Sequence, residues 1–248
     1  MEGINKPLQG KTALITGGTT GIGRAALLLL ASQGVKILFF GTDEKHLADT
    51  MDDVKKMQLE DEVMGVLADV SSKENVAFVF QHVDGFLGKL DFLINNAALG
   101  AKGLMETSYE DMAYVINVNV LGYLACAQEA AKRMKENGGG HIINVGSMSA
   151  DTRGGTSTVY VATKAGIQGF SESLRKELNP MGIKVTLLEP GAVGTDMQPS
   201  SPEEQREKEE RLEMLKAEDI AESILYILSQ PKRCDVVELK VRPHKQII

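Results

Sequence analysis

Short apolar runs alternate with longer stretches of helical period along this chain. Thr12–Thr16 predicts a first strand, followed by Gly-Gly-Thr-Thr-Gly and a helix over 22–33. Residues 35–40 predict a second strand and 43–57 a polar helix. A third strand is expected at 63–68, and Ser71 or Ser72 caps a helix running to about residue 86. Strand four, at 92–94, leads into a long helical stretch, 112–135, which Gly138-Gly139-Gly140 ends. Strand five at 141–145 precedes a helix over 159–178 with Pro180 and Gly182 as stop signals. Strand six at 183–188, a charged segment, a helix over 220–228 and a strand over 236–241 complete the pattern.

Strands alternating with helices imply βαβ units and a parallel sheet, and strand runs that are apolar throughout imply helices on both faces. No Pro- or Ser-rich linker, internal repeat or low-complexity tract divides the 248 residues. The expectation is a single α/β domain, a doubly wound Rossmann-type sheet of about seven parallel strands flanked by helices.

Composition then excludes several functions. Hydrophobic residues make up 43% and charged residues 25%, the balance of a soluble globular protein. Apolar runs fall well short of the roughly 18 residues a membrane helix needs. The net charge of −7 argues against nucleic acid as a partner. Residues 1–10 lack the basic-then-apolar pattern of a signal peptide. Cys126 and Cys234 are too few for a disulfide framework and read as reduced packing residues of a cytoplasmic protein. His46, His82, His141 and His244 share no ligand spacing, so no metal site is expected. Residues 203–219 carry eight acids and four bases, with Glu204/Lys208 and Glu207/Arg211 at helical spacing.

The candidate chemistry begins between the first strand and first helix, at Thr16-Gly17-Gly18-Thr19-Thr20-Gly21-Ile22-Gly23. Gly17 permits a tight turn, Gly21 lets backbone approach a pyrophosphate, and Gly23 lets helix and strand pack closely. The free N–H groups of the helix N-terminus suit an anion. The spacing is G-x-x-x-G-x-G. The second strand ends in Gly41-Thr42-Asp43. No acid occupies the strand end to hold a ribose 2′-OH, and Asp43 reads as a helix cap; this favours NADP over NAD, with Thr42 beside the 2′-phosphate.

Tyr160 and Lys164 stand four apart on a predicted helix and share a face. A lysine ammonium beside a phenol favours phenolate and lowers its pKa from about 10, which suits an acid or base near neutral pH. Ser147 follows the fifth strand, where a hydroxyl would hydrogen-bond a substrate oxygen.

With these residues in place the chain resembles the short-chain dehydrogenase/reductase family from about residue 8 to residue 241. The resemblance is carried by the glycine turn, Asp69-Val70, Asn95-Asn96-Ala97-Ala98, Asn119-Val120-Leu121-Gly122, the Ser147/Tyr160/Lys164 set and Pro190-Gly191-Ala192-Val193-Gly194-Thr195. Ala98 replaces the final glycine of the Asn-Asn-Ala-Gly motif. The resemblance implies that Asp69 and Val70 contact adenine, that Asn96, Ala97 and Ala98 lie along the cofactor, and that Pro190, Gly191, Val193 and Thr195 hold the nicotinamide carboxamide. Tyr160 would move the proton on substrate oxygen. Lys164 would lower its pKa and bond the nicotinamide ribose, Ser147 would orient the carbonyl, and Asn119 would hold a water linking Lys164 to solvent. The cofactor would supply the hydride.

The resemblance also implies that residues after Thr195 contact the substrate. Residues 196–216 are expected to form a charged helical lid with Met197, Leu212, Met214 and Leu215 as its apolar candidates. A 3-oxoacyl-[acyl-carrier-protein] reductase would place bases beside the cleft for its acidic partner, yet Gly138 and Met181 occupy those positions and the lid is acidic. Such reductases also end near Asp-Gly-Gly, whereas this chain has Asp235-Val236-Val237 and, before the last helix, Glu218-Asp219-Ile220-Ala221-Glu222. A reductase of small ketones, aldehydes or hydroxy acids therefore ranks above the fatty-acid enzyme. A non-catalytic NADP(H)-sensing regulator is the alternative from another class, and such proteins usually lose the tyrosine or lysine retained here. The family resemblance implies a homo-oligomer, a dimer or a homotetramer, built by pairing the helices of Asn119 and Tyr160; Val115, Val118, Leu121, Leu124, Cys126 and Ala127 give the first of these apolar residues on more than one side.

Overall fold

A computed structural model of the chain describes residues 8–246. Strands and helices alternate: β1 (Thr12–Thr16), α1 (Gly21–Ser32), β2 (Lys36–Gly41), α2 (Glu44–Lys56), β3 (Val63–Leu67), α3 (Lys73–His82), β4 (Phe92–Asn95), α4 (Tyr109–Ile116), α5 (Gly122–Glu136) and β5 (Gly140–Val145). They continue as α6 (Ser149–Thr152), α7 (Thr158–Leu178), β6 (Ile183–Pro190), α8 (Pro202–Glu210), α9 (Ala217–Leu228) and β7 (Glu238–Val241). The seven strands form one parallel sheet in the order β3-β2-β1-β4-β5-β6-β7. The strand order reverses between β1 and β4, and a crevice opens there beyond the carboxyl ends of the strands.

Alternate strand residues build two cores. Ala13, Ile15, Ile37 and Ile143 face α1 and α9 through Leu27, Leu30, Ile220 and Ile224. Leu14, Leu38, Leu93 and Ile142 face α3, α5 and α7 through Val79, Phe80, Cys126 and Leu174. Both faces are covered, which is why the strands are apolar at successive positions.

Several details differ from the sequence expectations. The helical stretch read as 112–135 starts at Tyr109, because Ser108 caps it by accepting a hydrogen bond from Asp111 N at 3.0 Å. It also contains a wide turn, Asn117–Leu121, with π-helical bonding between α4 and α5. Cys126 is buried as expected, but Cys234 is exposed, since it lies on the surface segment between α9 and β7. Glu204 does not pair with Lys208. Its carboxylate accepts from Ser201 N while Ser201 Oγ accepts from Glu204 N, a capping box that satisfies two end groups of α8. Glu207 and Arg211 do pair, at 3.6 Å.

Candidate active site

A cleft of about 1110 Å³ occupies the crevice. Every residue expected to hold the cofactor or take part in the chemistry lines it except Gly23 and Asn119, which stand directly behind its wall.

The turn after β1 forms one end of the cleft. Gly17 has φ +63, a conformation that side chains disfavour. A Cβ on Gly23 would lie 2.1 Å from Gly17 O and 2.6 Å from Asn96 Nδ2, so α1 can begin here only with glycine. Asn96 Nδ2 donates to Thr16 O at 3.1 Å and Gly17 O at 2.9 Å, while Thr16 Oγ1 accepts from Asn96 N at 2.9 Å and Ala97 N at 2.8 Å. Asn96 thus holds the turn from behind. The start of α1 has neither a side-chain cap nor an acid in its first turn, whereas Asp43, Ser72, Ser108 and Ser201 cap α2, α3, α4 and α8. Its amides face the cleft uncapped, a donor set that fits a phosphate group.

Past this turn lie Thr42, Asp43, His46, Asp69 and Tyr114. Asp43 Oδ1 accepts from His46 N at 2.8 Å, and that bond holds its carboxyl below the usual range. Asp69 Oδ1 accepts from Ser71 N at 2.8 Å and Oδ2 from the Tyr114 hydroxyl at 2.9 Å. Both acids are engaged within the protein, and Thr42 is exposed. His46 and Tyr114 were not anticipated. His46 is three residues after the α2 cap, a spacing that could have drawn attention to it; Tyr114 has no comparable signal.

Tyr160 and Lys164 occupy successive turns of α7 at the other end of the cleft. Lys164 is buried; its Nζ donates to Val145 O at 2.8 Å and lies 3.5 Å from the Tyr123 hydroxyl, which itself donates to Val145 O at 3.0 Å. Nζ is 5.8 Å from the centre of the Tyr160 ring. Burial pushes the Lys164 ammonium down to about 7, against the opposing pull of Glu189. Burial also pushes the Tyr160 phenol up, partly offset by a hydrogen bond with Ser147. In the protein alone, then, the expected lowering of the phenol does not occur: the β5 carbonyl takes the ammonium, and desolvation governs both groups. Ser147 Oγ accepts from Ser149 N at 3.1 Å. Asn119 is fully buried; it binds the Leu99 backbone and donates to Thr163 Oγ1 at 3.2 Å. Tyr123, one turn after Asn119, was not anticipated, although its i+4 spacing was readable.

Around Tyr160 the cleft is bounded by residues 99–102, by α6, by Thr156 and Ser157, and by residues 196–199. A Cβ on Gly100 would lie 3.5 Å from Met197 Cγ, so the start of the expected lid stands close to the opposite wall. Of its apolar candidates only Met197 lines the cleft; Met214 is buried, Leu215 packs on the core and Leu212 is exposed. Gln205 Nε2 on α8 donates to Thr195 O at 3.3 Å. Gly138 and Met181 precede β5 and β6, at the amino-terminal ends of the strands and away from Ser147 beyond the carboxyl end of β5, and neither lines this chain's own cleft. Among the described residues no group of three or more His, Cys, Asp or Glu is placed to hold a metal ion, and no helix is long and apolar enough to cross a membrane.

The short chain dehydrogenase family model matches residues 11–206. An uncharacterized oxidoreductase of Staphylococcus aureus (strain USA300) is 35% identical over 238 residues, covering 95% of this chain and 98% of that protein. An uncharacterized oxidoreductase of Staphylococcus saprophyticus is 34% identical over 240 residues, with the same coverage of 95% and 98%. Among solved structures, a Brucella melitensis 3-ketoacyl-(acyl-carrier-protein) reductase complexed with NADH superposes with a TM-score of 0.85 at 27% identity, covering 97% of this chain and 100% of that one. A doubly substituted mutant of a Serratia marcescens short-chain dehydrogenase/reductase gives 0.84 at 29% identity, covering 96% and 98%. With the parallel sheet, the uncapped glycine turn and the Ser147/Tyr160/Lys164 cluster in one cleft, the chain belongs to the short-chain dehydrogenase/reductase family and is an NAD(P)-dependent oxidoreductase.

Proposed function

We propose that this enzyme moves a hydride between NADP(H) and the carbonyl or secondary-alcohol carbon of a small ketone, aldehyde or hydroxy acid. The observation that carries this reading is that Tyr160, Ser147 and the uncapped start of α1 line a single cleft. When bound, the nicotinamide cofactor supplies or accepts the hydride. Tyr160 holds the proton that passes to or from the substrate oxygen. Ser147 steadies that oxygen with its hydroxyl. Lys164, charged, favours the phenolate left behind, and an adjacent cationic ring would help offset the desolvation that otherwise raises Tyr160.

The preference for NADP rests on the end of β2. The Asp43 carboxylate is turned to the start of α2, Thr42 is exposed, and the His46 ring lines the cleft beside it. The enzyme is further read as a cytoplasmic homo-oligomer, a dimer or tetramer. Ile116, Leu121 and Leu124 support this, because they stay exposed on the α4–α5 side while Val115, Val118, Cys126 and Ala127 are buried.

A 3-oxoacyl-[acyl-carrier-protein] reductase is the second reading, favoured by the Brucella neighbour. Opposing it, Glu203, Glu204, Glu207, Glu209 and Glu210 on α8 would repel an acidic carrier. The test is turnover of purified protein with NADPH and NADH over ketones, aldehydes, keto acids and an acetoacetyl thioester. Reduction of small carbonyl compounds with NADPH ahead of NADH is expected. Dominant turnover of the thioester would favour the second reading. Cofactor binding with no turnover anywhere on the panel would replace both with a nucleotide-sensing regulator.

A further inference from the structure

The substrate arm of the cleft carries a lysine that pairs with no acid among the described residues. Lys102 lines the cleft on a loop that is pinned at both ends: Asn119 holds Leu99, and Leu104 N donates to Thr158 Oγ1 at 2.9 Å. Among the described residues Lys102 has no carboxylate within 4.0 Å and no hydrogen bond. The other lysine of the cleft, Lys164, is held by Val145 O, and His46 lies at the far end beside Asp43. The loop's Gly103 backs onto Gly155 and Thr156, so Lys102 shares its arm with hydroxyl groups, those of Ser149, Thr152, Thr156 and Ser157. Apolar lining on this arm comes from Leu99, Ala101, Met148, Met197 and Pro199, and Gly100 and Met197 face each other across it with little more than the space of one methyl between them. Asp196, the acid of this arm, lies on the lid side and does not pair with Lys102.

Building on the reading that this cleft reduces carbonyl compounds, we propose that Lys102 is a specificity residue that selects substrates bearing a carboxylate close to the carbonyl, that is, short keto acids and the matching hydroxy acids. A flexible ammonium at a cleft mouth can meet a carboxylate at the edge of a small ligand, while the hydroxyl walls bind its remaining polar atoms.

Matched acid and ester pairs test this: pyruvate against methyl pyruvate and acetoacetate against its methyl ester, each with saturating cofactor. The wild-type enzyme is expected to favour the acid of at least one pair by about tenfold or more in kcat/KM. That acid-to-ester ratio should collapse in Lys102→Met, persist largely in Lys102→Arg, and shrink at about 0.5 M salt. An unchanged ratio in Lys102→Met, or a wild-type preference for both esters, overturns the proposal and leaves the carbonyl-reductase reading standing. If the wild-type enzyme reduces no carbonyl compound at all, that reading and this proposal fall together. A thermal melt of Lys102→Met, expected to match wild type for this exposed side chain, excludes misfolding as the cause of a collapsed ratio.

Discussion

Asn119 holds Leu99 by both of its backbone groups: Nδ2 donates to the Leu99 carbonyl and Oδ1 accepts from the Leu99 N–H, each at 2.8 Å. A side chain 20 residues away thereby satisfies the loop that follows β4, and that loop carries one wall of the cleft. Asn119→Leu has nearly the same volume and can make neither bond. It is expected to lower unfolding free energy by about 2–5 kcal/mol and to weaken cofactor binding together with substrate binding. Urea unfolding and cofactor titration would check this; wild-type stability in the variant would mean the loop is held by other means.

Tyr160→Phe removes the hydroxyl and leaves the ring. Turnover is expected to drop by about 10²–10⁴-fold while cofactor affinity stays near wild type. The chain has no tryptophan, so the fluorescence of bound reduced cofactor can be followed without interference from that residue. Turnover within a few-fold of wild type would remove Tyr160 from the chemistry.

Lys164 gives the cofactor-free protein a pH signature. Its folded pKa of about 7 lies below its ordinary value of 10.5, so between those limits the unfolded chain binds more protons. Stability should therefore rise with pH from about 7 towards 10, and the cost of burying the charge is greatest below 7. Chemical denaturation at pH 6.5, 8 and 9.5 should show this rise in the wild type and a flatter profile in Lys164→Met. Parallel profiles would show that Lys164 is charged and compensated when buried.

Much of the fold was legible because its elements follow from local rules. Buried parallel strands must be apolar at successive positions, as in β1, β2 and β4 to β6, and Asp43 and Ser72 stand where helix caps belong. The glycine turn and the Tyr160/Lys164 pair were also readable, from spacing and from resemblance. What stayed hidden depends on contacts distant in sequence. Nothing near Asp69 announces that Tyr114, 45 residues later, will take one of its oxygens, and nothing near Lys164 announces the Val145 carbonyl. Sharing a helix face put Tyr160 and Lys164 close, but the sheet decided which atom the ammonium met. For Glu204 the helical spacing pointed to Lys208, but the unsatisfied amide of Ser201 took its carboxylate instead, while Glu204 N found Ser201 Oγ.

The wide turn at Asn117–Leu121 has a consequence for how this segment tolerates change. One residue more or fewer there would rotate everything beyond it by about 100° about the helix axis. Substitutions could spare the arrangement, but a single insertion or deletion would swing Asn119 and Tyr123 out of phase with each other or with α4. The number of amino acids between Ser108 and Tyr123 is thus constrained independently of their identity, a requirement of length written into the active site.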